Sequence, residues 1–550
     1  MKRNKYLLLI SSVGVLLLLF VAAADEHFFK DWRSIQSEAK TQEGALDVRL
    51  RQVVNPKLKV SDRCVSCHVG MAAGEQVTGD SKVLAAHKPV VHSPAEFGCT
   101  TCHGGQGRAT EKDDAHGDVH FWPQPMIPAK YSQAGCGTCH APLNVPNLVT
   151  LEKGRGAFER LDCIACHRVD GRGGTLRPGG GGMEGPDISY VGIKGYDSSW
   201  YDKHFKKYEE AKEGIWKTSF GKINEQDIES LRSFLSTRVG APKLVEAKAQ
   251  FNSQGCYGCH KVSGVGGDAG VDLSRSGEKD PGQLDFANVH GNHTLDNWFA
   301  QHFRSPVSTV PGSLMPILGL NDNQIDLLTM YTLSLRRREL PSTYLPKDRV
   351  QATRFGAREF SSDGATIFSA FCSACHGANG QGMRYPGFQP YPAIANPDFL
   401  ELASDEFITA TVRSGRPNRQ MLAWGEKDGG LKADEIKAVV AYLRQMSGVQ
   451  YKQDTSPPRW VKGDWNVGKK IYTAYCVGCH GQKGEGAEGP ALNNKVLLSS
   501  ATDTFLVETI SRGRRGTAMQ SFANSSPIRP ALTRWEIESV VTFIRSLEAK

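Results

Sequence analysis

These 550 residues contain no spare cysteine. All fourteen fall in Cys-x-x-Cys-His motifs, so none is left over for a structural disulfide. There is no basic run with interleaved aromatics, so the formal net charge of +8 gives no default reason to expect nucleic acid. Beyond Ala24 no stretch is apolar enough to span a membrane. The chain is also too long for one hydrophobic core and suits roughly three to five domains of about 100–150 residues.

What is present is a motif used seven times. The cysteine pairs are Cys64/Cys67, Cys99/Cys102, Cys136/Cys139, Cys163/Cys166, Cys256/Cys259, Cys372/Cys375 and Cys476/Cys479. The histidines that follow are His68, His103, His140, His167, His260, His376 and His480. Two thiols three positions apart on one helical turn can form thioethers to the two vinyl groups of one haem. The adjacent His then lies under the iron as proximal ligand. A zinc site would pair two Cys-x-x-Cys units and would not need a His after each. A redox dithiol would need one motif, not seven. The expectation is seven covalent c-type haems. Seven ferric haems, each with two propionates, would bring the net charge to roughly +1, so the apoprotein charge says little about partners.

The N-terminus is basic, then apolar from Tyr6 to Ala24, then Asp25-Glu26-His27. As a helix the apolar run spans about 28 Å, close to a bilayer core. The basic flank belongs inside. Residues 1–30 are expected to be a signal anchor or transmembrane helix. The alternative is a cleaved signal peptide ending near Ala22-Ala23-Ala24. Either reading exports the chain, and export is where c-type haem is attached. The expected location is the cytoplasmic (inner) membrane, single-pass, with the bulk on the periplasmic side.

The fold expectation is mainly α. The first three motifs are crowded into residues 45–148, too few for a core around each, and predict one loop-rich trihaem module. The last four form an internal repeat over 149–240, 241–340, 360–447 and 463–550. In each, a helix leads into the motif, a Gly-rich loop follows, and an apolar-spaced helix closes the repeat. The closing helices are expected near 224–238, 321–336, 432–446 and 533–547. Asn224 with Asp227, and Thr533 with Glu536, stand where a capping box would.

These repeats resemble class I cytochrome c domains. The shared pattern includes a Gly-Pro loop, seen as Gly185-Pro186-Asp187-Ile188 and Gly489-Pro490-Ala491-Leu492. The resemblance implies that the carbonyl of that Pro accepts a hydrogen bond from the proximal His. The second repeat has Gly270-Val271-Asp272-Leu273 instead, and the third Tyr391-Pro392-Ala393-Ile394, so both depart from the pattern. The N-terminal module, with His92 to Cys99 and Cys102 to Gly107, is similar to membrane-anchored multihaem c subunits that accompany quinol-oxidising respiratory complexes.

The distal side separates carrier from enzyme, since an electron-transfer haem wants two strong axial ligands and a catalytic one keeps a position open. Met315, Met421 and Met519 precede the closing helices of repeats two to four, where the family places its Met ligand. In the first repeat Lys217 occupies that position within Gly214-Ile-Trp-Lys217-Thr-Ser-Phe220. Lys217 is the favoured ligand there, with His204, Met183 or an open iron as alternatives. A similarly placed His302 in the second repeat argues that His204 and His302 are surface helix residues. For the trihaem module the candidate ligands are His87, His92, His116 and His120, with Met126 in reserve. Their pairing with the three irons cannot be read from the sequence. His290 and His293 lie in a polar loop and are not taken as ligands.

A His-ligated module beside the anchor and Met-ligated domains after it imply a direction, because thioether ligands stabilise reduced iron. Electrons are expected to enter from a membrane, quinol-linked donor and leave to a soluble acceptor. The chain would act as a non-enzyme subunit beside an integral-membrane b-type cytochrome or other quinol-oxidising subunits. The competing readings are a multihaem redox enzyme using the Cys163/Cys166 haem, and the cytochrome subunit of a periplasmic dehydrogenase.

Overall fold

The computed structural model describes residues 2–72, 77–78, 82–88, 90–119, 122–174, 185–209 and 222–549. The apolar N-terminal run folds as helix α1 (Lys2–Ala24), whose side chains are exposed along its length. At about 1.5 Å per residue it spans about 34 Å, enough for a bilayer core of about 30 Å. Among the described residues it belongs to the one helical stretch long and apolar enough to cross a membrane.

Two units follow from the packing. The first holds the chain up to Ala141 with Arg275–Gln301 and Thr332–Val350. The second holds Pro142–Ser274, His302–Tyr331 and Gln351–Lys550. The second repeat thus contributes segments to both.

In the first unit a small buried cluster joins Ala39, Leu46, Val69 and Leu84, and Leu58, Val60, Val65, Ile127 and Tyr131 are buried as well. Polar ties also hold the motif segments. Gln36 donates to the Ser66 carbonyl at 2.8 Å. The Asp62 carboxylate accepts from the Thr100 backbone N–H at 2.7 Å and from its hydroxyl at 2.8 Å. Asp62 closes a short antiparallel hairpin, Val53–Asn55 with Val60–Asp62. Gly135 lies so close to the second motif that a Cβ would stand 1.9 Å from the Cys102 carbonyl oxygen. Motifs two and three therefore touch through backbone.

The second unit is helical. Its N-terminal part has α2 (Leu148–Arg160), α3 (Ser198–Glu209), α4 (Glu225–Ser236) and α5 (Pro242–Ser253). Leu151, Ala157 and Phe158 of α2 bury against Ile228, Leu231, Phe234 and Leu235 of α4, the i, i+3, i+4 stripe of two amphipathic helices. Asn224 caps α4 by accepting from the Asp227 N–H at 2.8 Å. Helix α6 (Asp322–Ser334) closes the second repeat.

The third repeat contains α7 (Pro397–Leu402), α8 (Asp405–Ser414) and α9 (Ala433–Ser447). The fourth contains α10 (Trp465–Tyr475), α11 (Lys495–Ser500), α12 (Asp503–Arg512) and α13 (Arg534–Arg545). Thr533 and Glu536 form a reciprocal capping box on α13.

One glycine recurs at the crossing of first and last helix. A Cβ on Gly154, Gly364 or Gly468 would lie 2.2, 2.2 and 1.9 Å from the carbonyl oxygens of Ser230, Ala438 and Ser539. Only glycine lets those backbones meet. The second repeat differs: the fully buried Lys248 on α5 pairs with Glu359 at 2.7 Å and donates to the Pro142 carbonyl at 2.7 Å.

Repeats three and four join in an approximately reciprocal way. The α7 cap Asn396 donates to the Arg515 carbonyl at 2.9 Å, and the α11 cap Asn494 donates to the Pro417 carbonyl at 3.4 Å. The equivalent rings of Phe407 and Phe505 meet between them, 4.9 Å apart.

Candidate functional site

Each motif is a single tight turn. In six of them the His N–H donates to the carbonyl of the first Cys at 2.8–3.0 Å. That turn brings two thiols and an imidazole together within five residues. Most of the thiols are held neutral: burial pushes Cys163, Cys256, Cys372 and Cys476 up to about 12. A redox dithiol would require the opposite shift. Cys64 and Cys259 are lowered, by hydrogen bonds with Cys99 and Cys375. In both, the lowering comes from a thiol of another motif and not from within the pair.

Among the expected attachment residues one, Cys479, departs from an otherwise half-buried set. Cys479 is exposed, whereas the other thirteen motif cysteines, Cys166 among them, are half-buried. The physical reason is the position of the seventh motif's turn, in the fourth repeat, at the surface. Gly478 is exposed beside Cys479, and a Cβ there would meet nothing within 4 Å. At both residues it is the backbone that is tied down. The Cys166 carbonyl accepts from the Gly185 N–H at 3.0 Å, and the Cys479 carbonyl accepts from the Gly489 N–H at 2.8 Å. Packing around the thiol therefore does not single out Cys479; the expectation of attachment there rests on its place in the motif.

The proximal side is built by hydrogen bonds donated from Nδ1, which leave Nε2 for a metal. His167 donates to the Pro186 carbonyl at 3.0 Å and His480 to the Pro490 carbonyl at 2.8 Å. The two repeats that depart from the Gly-Pro pattern keep the same contact. His260 donates to the Val271 carbonyl at 2.8 Å and His376 to the Pro392 carbonyl at 2.9 Å. The acceptor is backbone, so Pro at that position is dispensable.

The residue before it matters more. A Cβ on Gly185, Gly270 or Gly489 would stand 2.5, 2.5 and 2.9 Å from the His ring. In the third repeat Tyr391 fills this place, its ring centre 6.5 Å from the buried His376.

His140 is held differently. Its Nδ1 donates to the Asp348 carboxylate at 3.0 Å, and the Ala141 N–H donates to the same oxygen at 3.0 Å. Nothing near the motif in sequence announces Asp348. A carboxylate partner raises the basicity of the imidazole more than a carbonyl does.

The histidines also face one another. Ring centres are 6.2 Å apart for His87 and His103, and 5.9 Å for His92 and His140. In the first repeat His167 and His204 are 6.0 Å apart. With metal–nitrogen bonds of about 2 Å, two imidazoles across one metal have ring centres roughly 6 Å apart. His68 is lowered by burial and then by the neighbouring His116. His103 is lowered by burial, then by His87 and His68. His87 Nδ1 donates to the Lys88 carbonyl at 2.6 Å, which leaves its other nitrogen available. His120, Met183 and Lys217 lie outside the described residues.

The expectation that His204 is a surface residue needs correction. It is half-buried beside His167, because α3 buries Tyr201 and Phe205 in the domain core and so turns His204 inward. His302 is likewise half-buried rather than exposed.

Met315, Met421 and Met519 are each half-buried on the loop before the closing helix. In repeats three and four this loop has one construction. Helix α8 or α12 ends at a left-handed glycine, Gly415 or Gly513. The next residue, Arg416 or Arg514, then donates its N–H to the Met421 or Met519 carbonyl at 2.8 Å. Both guanidinium groups are lowered to about 10 by burial. Arg416 Nη1 is buried with no partner among the described residues. A haem brings propionates, the anions such a cation lacks. With the glycine cradles and the anchored imidazoles, the residues present fit the group.

The family pattern described as Cytochrome c matches residues 151–238, 244–336, 361–447 and 466–548. The chain belongs to the cytochrome c family. A second pattern, cytochrome c554 and c-prime, matches residues 24–104 of the cytochrome. The cytochrome is 39% identical over 164 residues to the Cbb3-type cytochrome c oxidase subunit FixP of Bradyrhizobium diazoefficiens, covering 28% of the chain and 51% of the relative. It is 28% identical over 195 residues to subunit CcoP of Rhodobacter capsulatus, covering 34% and 61%. The cytochrome thus spans about half to three-fifths of the length of these relatives. Among solved structures, the reducing HAO-like protein complex of Kuenenia stuttgartiensis matches 34% of this chain and 94% of its own, at 21% identity and a TM-score of 0.23. This is a multihaem cytochrome c with covalently bound c-type haems, built for electron transfer.

Proposed function

We propose that the cytochrome carries seven haems, one per motif, and passes electrons from a membrane-bound, quinol-linked donor to a soluble acceptor on the periplasmic side. Bound haem supplies one-electron exchange at its iron; the chain supplies attachment, ligands and order. In this reading both thiols of every motif attach haem, the half-buried Cys166 and the exposed Cys479 included. The proximal ligands are His68, His103, His140, His167, His260, His376 and His480. In this reading the distal ligands of the trihaem module are His116, His87 and His92, opposite His68, His103 and His140 in turn, and those of repeats two to four are Met315, Met421 and Met519.

The observation that carries the reading is the order of ligand types. Facing histidines follow the anchor, and Met loops occupy the C-terminal repeats. His/His iron sits at lower potential than His/Met iron, so electrons run downhill from the membrane outward. Helix α1 would hold the chain in the inner membrane. Because α1 is a single span, quinol oxidation within the bilayer falls to a partner. An integral-membrane b-type cytochrome fits that role, and similarity to subunits of Cbb3-type cytochrome c oxidases supports a place among other subunits.

A spectroelectrochemical titration of the haem-loaded chain tests the direction. The three Met-ligated haems should be highest in potential; finding them lowest would reverse it. Purification in mild detergent should bring a b-type cytochrome with the chain.

A further inference from the structure

The first repeat lacks the family's Met, yet its fold supplies another ligand. On α3, Tyr201 and Phe205 stand one turn apart and join the buried cluster of Leu231 and Phe234. Asp202 pairs with Arg232 at 3.1 Å and ties α3 to α4. The neighbouring face of α3 carries Trp200 and His204, whose rings stack 5.2 Å apart at 10°. Trp200 stacks in turn on Tyr196, 3.9 Å away at 7°. His204 is thus a side chain held on a braced helix.

Its ring centre lies 6.0 Å from that of His167. The two facing pairs in the trihaem module measure 6.2 and 5.9 Å. All three values match two imidazoles sharing one metal, with bonds of about 2 Å on each side. His167 spends Nδ1 on the Pro186 carbonyl, so its free nitrogen is the ligating one.

We propose that His204 is the second axial ligand of the haem at Cys163/Cys166, giving a bis-histidine iron inside a cytochrome c domain. The inference rests on a haem being attached there, which is part of the reading above. It closes the one iron whose Met position held Lys217. It also extends the run of His/His haems to four before the first Met-ligated one. The first repeat then belongs with the low-potential, membrane-side group rather than with its sequence relatives.

The test uses the haem-loaded full chain. Reduced protein is titrated with carbon monoxide at neutral pH, and oxidised protein is examined by electron paramagnetic resonance. His204→Ala should open one carbon-monoxide-binding haem per chain and add one high-spin signal. Lys217→Gln should do neither. The reverse pattern, or no change in either variant, overturns the proposal. Should His204→Ala fail to fold, His204→Met keeps a ligand and must raise the potential of one haem. A tenfold shift of its reduced-to-oxidised ratio corresponds to about 59 mV; seven unchanged potentials overturn the proposal. A haem assay separates the two readings: six haems per chain would sink the attachment at Cys163/Cys166 and His204 with it. Seven haems with unaltered ligation would sink His204 alone.

Discussion

Asp348 shows how one distant side chain would set the character of the proposed haem site at Cys136/Cys139. It accepts from His140 at 3.0 Å although 208 residues separate them. The negative partner favours ferric iron by making the imidazole a stronger donor. Asp348→Asn keeps a hydrogen-bonding group of the same shape but removes the charge. The haem at Cys136/Cys139 should rise in potential, shifting its reduced-to-oxidised ratio about tenfold, or roughly 59 mV. Spectroelectrochemistry of the variant reads this directly; an unshifted titration would show that His140 ignores the carboxylate. By contrast, His260 and His376 lean on carbonyls of Val271 and Pro392, so side-chain changes there leave the acceptor in place. A Cβ at Gly270 is different, since it would meet the His260 ring at 2.5 Å.

Among the elements, the join of repeats three and four is the most legible chemically. Helices α7 and α8 of one meet α11 and α12 of the other around Phe407 and Phe505, both buried. Asp398 on α7 accepts from the Arg515 guanidinium at 2.8 Å and from its backbone N–H at 2.7 Å. The hydrogen bonds from Arg515 hold the Asp398 carboxyl below the usual range. A depressed folded value means the pair stabilises the join fully above the ordinary carboxylate pKa, about 3.9. That stability is lost as pH falls through the lower folded value. Thermal unfolding should therefore drop on acidification below about pH 4. Asp398→Asn should lower the neutral-pH midpoint and flatten that acid limb; an identical limb in the variant would assign it to other carboxylates. Arg515 is largely exposed, so the effect at neutral pH is modest.

For the whole molecule, the order of parts along the chain is the functional statement. An apolar helix comes first, facing histidines next, Met loops last. If α1 remains as an anchor, the native chain should stay with membranes after a high-salt wash. Replacing residues 1–30 by a cleavable export signal should then release a soluble, haem-loaded protein. Recovery of the native chain in the soluble fraction would favour the cleaved-signal reading. With His204 as a ligand, the break between low- and high-potential haems falls between the first and second repeats. It does not follow the boundary between the trihaem module and the repeats.

Some of this was already written in the sequence. Haem attachment is local chemistry confined to five residues, so Cys-x-x-Cys-His announces itself without any fold. Cys479 illustrates the point: it is exposed, and only its spacing from Cys476 and His480 marks it. The repeat was legible because helix periodicity and caps such as Asn224 and Thr533 are also local. The opposite side of each iron was not legible in the same way. His87, His92 and His204 look alike as letters, and only the packing of loops and of α3 turns each toward a partner. Asp348 reaches His140 across 208 residues, which no spacing rule encodes. The carbonyls of Val271 and Pro392 carry no sequence signature, because every residue has one. Attachment is covalent and short-range, so the sequence determined where it is expected; the contacts of the imidazoles are non-covalent and long-range, so only the tertiary structure decided them.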